Sequence, residues 1–175
     1  MPFHLHTFVA HVHLFAYSTL LGTELYQSFV MTRVAYQALP RSAFTSLQKR
    51  VFPIYFRSQS LLLILVAGTT PPWGPASVVQ QRNVWMPLVV AGVTAILTLL
   101  IYGPRTQTFM IERVHQATRD AKMHQGAENP SEEMKDLNRF FSRSHAMSIH
   151  LNLLTIGATL WYGCWLASHL KFGGQ

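Results

Sequence analysis

Long apolar stretches separated by short charged segments dominate the pattern of this sequence. Apart from Glu24, residues 1–32 contain no Asp, Glu, Lys or Arg, and residues 58–81, 83–104 and 144–170 contain none at all. Each stretch is about 20 residues or longer, which is the length that a helix needs to cross the hydrocarbon core of a bilayer. The pattern predicts an all-α integral membrane bundle of four transmembrane helices, with spans at about residues 8–31, 51–70, 84–102 and 145–166.

Prolines and glycines predict where these helices end. The residue before a proline is pushed out of the helical region, so the first helix should end at Leu39-Pro40. Residues 40–56 are then expected to form a short basic re-entry along the membrane surface, with Pro53 in the first turn of the second span. The pair Gly103-Pro104 is expected to end the third helix.

A polar segment lies between the third and fourth spans. Its spacing predicts a cytoplasmic amphipathic or extended helical segment, which either continues the third helix or lies on the membrane. A new helix should begin after Asn129 or Ser131, because either side chain can cap it and Glu132 and Glu133 follow in the first turn.

Composition and charge support a membrane protein over other classes. The 175 residues are enough for one domain, predicted as residues 1–175, and only 12% of them are charged while 49% are apolar. A net charge of +7 could indicate nucleic acid, but the Lys and Arg residues alternate between the spans as five, one, seven and one. This is the positive-inside pattern, which places both termini in a lumen or outside and the basic loops in the cytoplasm. We therefore expect no nucleic-acid partner.

The expected partners are lipids and other membrane proteins. Five basic residues near the cytoplasmic ends of the spans are predicted to contact anionic lipid headgroups. An endomembrane, either the endoplasmic reticulum or secretory and endosomal vesicles, is the expected location. The single cysteine, Cys164, excludes an intramolecular disulfide and a cysteine-rich zinc site. The predicted headgroup contacts are Arg41, Lys49, Arg50, Arg57 and Arg105.

Polar side chains inside the predicted spans form two stripes. His13 and Glu24 are eleven residues apart and so lie on one face of the first helix. His145, Ser148 and Asn152 begin a similar stripe on the fourth helix, which Thr155 and Thr159 continue. Such stripes face other helices, either as interhelical hydrogen bonds or as a path or site for a proton, metal or small solute. The candidate intramembrane polar site is His13, Glu24, His145, Ser148 and Asn152.

Helix geometry limits what this site can bind. His13 and Glu24 are about 16 Å apart along the axis, so they cannot share one metal ion. A site would need ligands from different helices, for instance Glu24 with His145 or Ser148. Pairing of His13 with His145 is less expected, because they start at opposite membrane faces. No phosphate-binding loop, dinucleotide-binding motif or catalytic motif occurs, so no catalytic, cofactor or metal residue is predicted and the protein is expected not to be an enzyme.

Four quoted stretches resemble the transmembrane protein 205 family over nearly the whole chain: "HVHLFAYSTLLGTELYQSFV", "ALPRSAFTSLQKRVFPIYF", "GPRTQTFMIERV" and "NRFFSRSHAMSIHLNL". The resemblance implies a four-helix integral membrane protein; the animal member is associated with resistance to platinum drugs through vesicular export. Glu24 departs from the pattern, since the animal protein carries an amide there. The matching residues are His13, Pro40, Arg41, Phe52, Pro53, Arg105, His145, Ser148 and Asn152.

Two classes of function follow as hypotheses. The first is a non-enzymatic membrane protein that supports solute or metal handling or vesicular transport, or that is an accessory subunit of a membrane complex. Four helices of this size enclose little space, so a homo-oligomer or a larger complex is expected. The alternative is a haem- or metal-binding redox protein that uses intramembrane histidines.

Overall fold

Four long helices make up the part of the chain that the structure describes. The computed structural model describes residues 2–71, 74, 76, 81–123 and 131–169, with the backbone alone at residues 2–6 and 123. These ranges contain helices and turns without a strand, which confirms the all-α class. We number the helices in chain order. α1 comprises Pro2–Leu25, the π-helical Tyr26–Met31 and Thr32–Ala38; α2 is Arg41–Gly68; α3 comprises Arg82–Leu97, the π-helical Thr98–Tyr102 and Gly103–Met123; α4 is Glu132–His169.

The break between α1 and α2 lies at the predicted proline. Leu39 is extended, with φ −109° and ψ 143°, as the ring of the following proline requires. Pro40 then serves as the N-cap of α2, and its carbonyl accepts a hydrogen bond from the Phe44 N–H at 2.9 Å. The predicted end of the first helix is confirmed.

The predicted basic re-entry before the second span is wrong. Residues from Arg41 onward form one continuous helix, and Pro53 lies well inside it rather than in a first turn. A proline has no N–H, so the carbonyl of Lys49 four residues earlier loses its usual helical partner. The Gln107 side chain donates to that carbonyl at 3.3 Å, which compensates for the missing bond and ties α2 to α3.

The predicted helix end at Gly103-Pro104 is also wrong, because α3 continues through it. A π-helical turn precedes the proline, and the Gly103 N–H donates to the carbonyl of Thr98 five residues earlier. A local π-helical turn of this kind is one way in which a helix accommodates a proline. Glycine is needed here, because a Cβ on Gly103 would lie 2.7 Å from the Thr98 carbonyl oxygen. Of the two predicted alternatives, the polar segment therefore extends the third helix.

The end of α3 and the start of α4 form a helical hairpin arm. Ser131 caps α4, because its hydroxyl accepts from the Met134 N–H at 3.2 Å and donates to Asp120 at 2.9 Å. The rings of Phe109 and Phe140 stack at 5.6 Å further along the arm. The alternative cap, Asn129, lies outside the described residues.

The four helices pack with small and aliphatic residues at the centre and large apolar side chains outside. The core includes Leu20, Val66, Ala91 and Ala95. Arg41–Gly68 and Arg82–Lys122 are long and apolar enough to cross a membrane. Large apolar side chains more than half exposed occur on every helix, among them Phe8, Phe15, Ile54, Leu61, Ile64, Val93, Leu100 and Leu154.

Candidate functional site

A polar cluster lies at the centre of the bundle, between α1, α2 and α4. Glu24 of α1 is fully buried, with an exposed fraction of 0%. Its Oε1 accepts hydrogen bonds from Gln59 at 2.9 Å and from the Thr159 hydroxyl at 3.3 Å. Its Oε2 has no hydrogen-bond partner among the described residues. The carboxyl is thus held by one oxygen while the other faces only packed side chains.

Asn152 of α4 completes this central cluster. Its Oδ1 accepts from the Tyr55 hydroxyl at 2.9 Å and from Gln59 at 3.3 Å. Its Nδ2 donates to the Ser28 hydroxyl at 2.9 Å. Three helices are therefore joined by amide and hydroxyl groups, which is a recurrent way to hold helices together where water is absent. We define the central cluster as Glu24, Ser28, Tyr55, Gln59, Asn152 and Thr159.

His13 lies apart from the central cluster, near the other end of α1. Its Nδ1 is 3.1 Å from the Thr69 hydroxyl, and its Nε2 is 2.8 Å from the Tyr162 hydroxyl. The Thr69 hydroxyl already donates to the carbonyl of Leu65 at 2.6 Å, so it is free to accept from a protonated Nδ1. Nε2 then accepts from Tyr162, which assigns a neutral tautomer by the network. This His13 cluster consists of His13, Thr69 and Tyr162.

Tyr17 connects the two clusters. Its ring packs edge-on against Tyr162 at 5.8 Å, and its hydroxyl donates to the backbone carbonyl of Thr159 at 3.4 Å. The hydroxyl lies against Gly163, where any added Cβ would overlap it. A small residue at 163 is therefore what permits Tyr17 to reach α4.

A cavity of about 360 Å³ opens at the opposite end of the bundle, and we name it the basic cavity. All four helices contribute to its walls. Phe44, Phe52 and Phe56 supply apolar surface, while Ser148 and Asn152 mark its boundary with the central cluster. Its other polar and charged walls include Gln48, Lys49, Arg57, Thr106, Arg113 and His145.

The five predicted site residues lie in three places in the structure. His13 is in the His13 cluster, Glu24 and Asn152 are in the central cluster, and His145 and Ser148 line the basic cavity. The structure does not bring Glu24 to His145 or Ser148, the pairing given as an example, because the Glu24 carboxyl accepts from Gln59 and Thr159 instead. Ser148 is eleven residues from Thr159 on α4, or about 16 Å along the axis, so it cannot reach the carboxyl. His145 stacks on Phe141 at 5.3 Å in the basic cavity, and only Asn152 shares a cluster with Glu24.

The five predicted headgroup residues also divide. Lys49 and Arg57 line the basic cavity. Arg41, Arg50 and Arg105 are exposed and lie outside the cavity lining. The pKa of Arg113 is lowered by burial and, to a smaller extent, by the positive charge of Arg41. The contact of the five predicted residues with lipid stays a prediction.

Sequence reasoning missed several residues that build these sites. In the sequence, nothing distinguishes Tyr55 and Tyr162 from other aromatic residues of the spans. Gln48 and Arg113 lie in segments whose other polar residues were expected to be solvated. One signal was available: Gln48 and Gln59 are eleven residues apart and so share one face of α2. Among the described residues, no three His, Cys, Asp or Glu side chains lie close enough together to hold a metal ion.

Comparison with known proteins places the chain in a family. A family described as "Domain of unknown function (DUF4149)" matches residues 15–115. The chain is also 44% identical over 163 residues to "Xanthocillin biosynthesis cluster protein D" of Aspergillus fumigatus, which covers 92% of this chain and 90% of that relative. No solved structure matches. The family match spans more than half of the chain and includes most of α1, all of α2 and most of α3, so the chain belongs to the DUF4149 family.

Proposed function

We propose that this protein is a four-span integral membrane protein that serves as a non-catalytic accessory component of a system handling a small molecule. The observation that carries the proposal is the distribution of polarity in the bundle. Glu24 has an exposed fraction of 0% and His13 of 1%, whereas Phe15 is 70% exposed. A water-soluble domain has the reverse arrangement. A bilayer favours apolar side chains outside and paired polar groups inside.

The same distribution supports spans in α1 and α4, whose polar stripes lower their mean hydropathy. The buried polar residues of these helices, among them His13, Glu24 and Thr159, face the clusters described above, while His11 and His150 are exposed. The outer faces carry Phe8, Phe15 and Phe29 on α1, and Leu153 and Leu154 on α4. Each helix thus offers lipid an apolar surface. The resemblance to transmembrane protein 205 independently implies the same four-helix plan.

The accessory role rests on the relative and on the chemistry of the site. The Aspergillus protein is named for a xanthocillin biosynthesis cluster, and we propose that this chain likewise accompanies a biosynthetic or transport system. The central cluster holds its one carboxyl with an amide and a hydroxyl from neighbouring helices. This arrangement favours structural pairing over catalysis.

Extraction and topology mapping test the membrane proposal. The protein should stay with membranes in alkaline carbonate and be released by detergent. In a Cys164→Ala background, single cysteines at Arg119 and His169 should react with impermeant thiol reagents from opposite sides of the membrane. Release by carbonate, or labelling of both positions from the same side, would refute four spans.

Native purification tests the accessory role. The protein purified in a mild detergent should bring along a stable partner that mass spectrometry identifies. A particle that contains only this chain would count decisively against an accessory subunit.

The redox alternative has less support from the geometry. His13 bonds to Tyr162, which is 17 residues from His145 on α4, so the two histidines are about 25 Å apart along the helix. Axial haem ligands must lie at one depth. A stoichiometric Soret band or bound metal in the purified protein would nonetheless restore this alternative.

A further inference from the structure

The wall of the basic cavity contains an unpaired buried amide. Gln48 has an exposed fraction of 3%, and neither its Oε1 nor its Nε2 has a hydrogen-bond partner among the described residues. Buried side-chain amides are almost always paired, because an unpaired one loses its bonds to water without replacement. An amide left unpaired in a cavity wall is therefore suited to bind something that enters the cavity.

The positive charge of the cavity lining favours a ligand with a negative charge. Lys49, Arg57 and Arg113 line it, and no acidic side chain does so among the described residues. Arg113 lies with its guanidinium 4.5 Å from the centre of the Phe141 ring, and its buried Nε has no hydrogen-bond partner in the described ranges. Burial, and after it the nearby positive charge of Arg41, lowers the pKa of Arg113. Mutual repulsion of these groups is relieved when an anion binds.

The other residues of the cavity lining favour a ligand that also has an apolar part. Phe44, Phe52, Phe56 and Met110 border the cavity. Its volume of about 360 Å³ falls within the range of about 300–1,000 Å³ that is typical of small-molecule sites. The cavity also lies at the end of the bundle that contains Arg41, Lys49 and Arg50 of α2 and Arg105 and Arg113 of α3, which the charge pattern assigns to the cytoplasmic headgroup layer.

We infer that the basic cavity binds a phosphate-bearing amphiphile of net negative charge, with the phosphate against Gln48 and Arg113 and the apolar part against the phenylalanines. This inference rests on the proposed membrane location. Arginine suits the role because its planar guanidinium donates two parallel hydrogen bonds to a phosphate. The phosphate has two possible sources, the headgroup of an anionic membrane lipid and a soluble phosphate compound.

Lipid titration of the purified full-length protein tests the inference. The thermal unfolding midpoint is measured in detergent with phosphatidic acid, with phosphatidylcholine, and with glycerol 3-phosphate, and native mass spectrometry detects retained lipid. Phosphatidic acid should raise the midpoint by several degrees and stay bound, while phosphatidylcholine should not. A comparable rise with glycerol 3-phosphate alone would assign the anion site to a soluble phosphate compound and overturn the apolar half of the inference, because that compound has no acyl chain.

Two variants and a matched control locate the site. Arg113→Gln and Gln48→Leu should each weaken the response to phosphatidic acid at least tenfold. Arg119→Gln removes the same charge from an exposed position of α3 outside the cavity lining, and it should leave the response unchanged. Gln48→Leu tests the site independently if Arg113→Gln does not fold.

The negative outcomes are distinct from those of the proposed function. A carbonate-resistant protein that responds equally to phosphatidic acid and phosphatidylcholine would overturn the inference and leave the membrane proposal intact. Equal effects of Arg113→Gln and Arg119→Gln would overturn it as well, because they would reflect net charge alone. Release by carbonate would instead refute the membrane proposal.

Discussion

Two buried glutamines on one face of α2 have opposite surroundings. Gln59, in the central cluster, bonds to Glu24, Tyr55 and Asn152 at distances of 2.9, 3.4 and 3.3 Å. Gln48, about 16 Å away along the helix, is equally buried and has no hydrogen-bond partner in the described ranges. The residue type and the helix face are the same, so the difference comes from what the neighbouring helices bring to each end.

The comparison separates a structural polar site from one that can accept a ligand. In the central cluster most polar groups are paired with each other, and the space is filled by the bundle itself. In the basic cavity the Gln48 amide is buried without a hydrogen-bond partner in the described ranges, and Lys49, Arg57 and Arg113 line the open volume. Four substitutions test this distinction, in order of the expected effect.

Loss of Gln59 should destabilise the protein most. Gln59→Leu removes three hydrogen bonds at once and leaves the Glu24 carboxyl with Thr159 as its remaining partner. We expect the free energy of unfolding to fall by about 3 kcal/mol, because a buried charged or polar partner is left unpaired. Denaturation in detergent measures the change.

Glu24→Gln is the matched control for that substitution. The amide retains an oxygen that can accept from Gln59 and Thr159, so the loss should stay below about 1 kcal/mol. A loss as large as that of Gln59→Leu would show that the carboxylate itself is required. Full retention of any solute flux and its pH dependence in this variant would remove Glu24 from a transport mechanism.

A methyl group at Gly163 should break the contact that joins the two clusters. Gly163→Ala places a Cβ on the Tyr17 hydroxyl, so the ring must move and its bond to Thr159 is lost. Overpacking of this kind costs about 2 kcal/mol. Gly157→Ala is the control on the same helix, since no atom lies within 4 Å of the new Cβ. It should be neutral or stabilise by up to about 1 kcal/mol through helix propensity; equal losses in both variants would contradict the packing argument.

Removal of the Tyr162 hydroxyl tests the His13 cluster by itself. Tyr162→Phe keeps the ring in the core but deletes the bond to His13, so we expect a loss of about 1 kcal/mol. Tyr36→Phe is the control, because that side chain is 70% exposed. An unchanged unfolding midpoint for Tyr162→Phe would mean that His13 does not depend on this bond.

Replacement of Gln48 should have the smallest effect on stability, and the opposite sign. Gln48→Leu removes an unpaired amide from a buried position, so the protein should be unaffected or become more stable by about 1 kcal/mol in the absence of ligand. The comparison with Gln59→Leu then separates the two regions in a single assay. A loss as large as that of Gln59→Leu would show that Gln48 is paired in the working protein.

Much of the helical plan could be predicted from the sequence, because it depends on local chemistry. Apolar windows predicted helices at each of the four places, and Pro40 predicted the end of α1. The same local rules failed at Pro53 and at Gly103-Pro104. At Pro53 the freed Lys49 carbonyl finds a partner in Gln107, which lies there only once α2 and α3 pack, and at Gly103-Pro104 a π-helical turn lets α3 continue.

For the polar residues, the sequence by itself determined which faces of the helices are polar, because spacing along a regular helix specifies direction. It did not determine the partners of these residues. Two helices that pack side by side can slide past each other by one turn without any change in the spacing of polar residues along either helix. Only the tertiary structure decided that Glu24 bonds to Gln59 and Thr159, that His13 bonds to Tyr162, and that Gln48 has no hydrogen-bond partner in the described ranges. The relative position of two helices along the bundle axis is set by the packing of side chains between them. The partners of each polar residue are therefore known only from the folded structure.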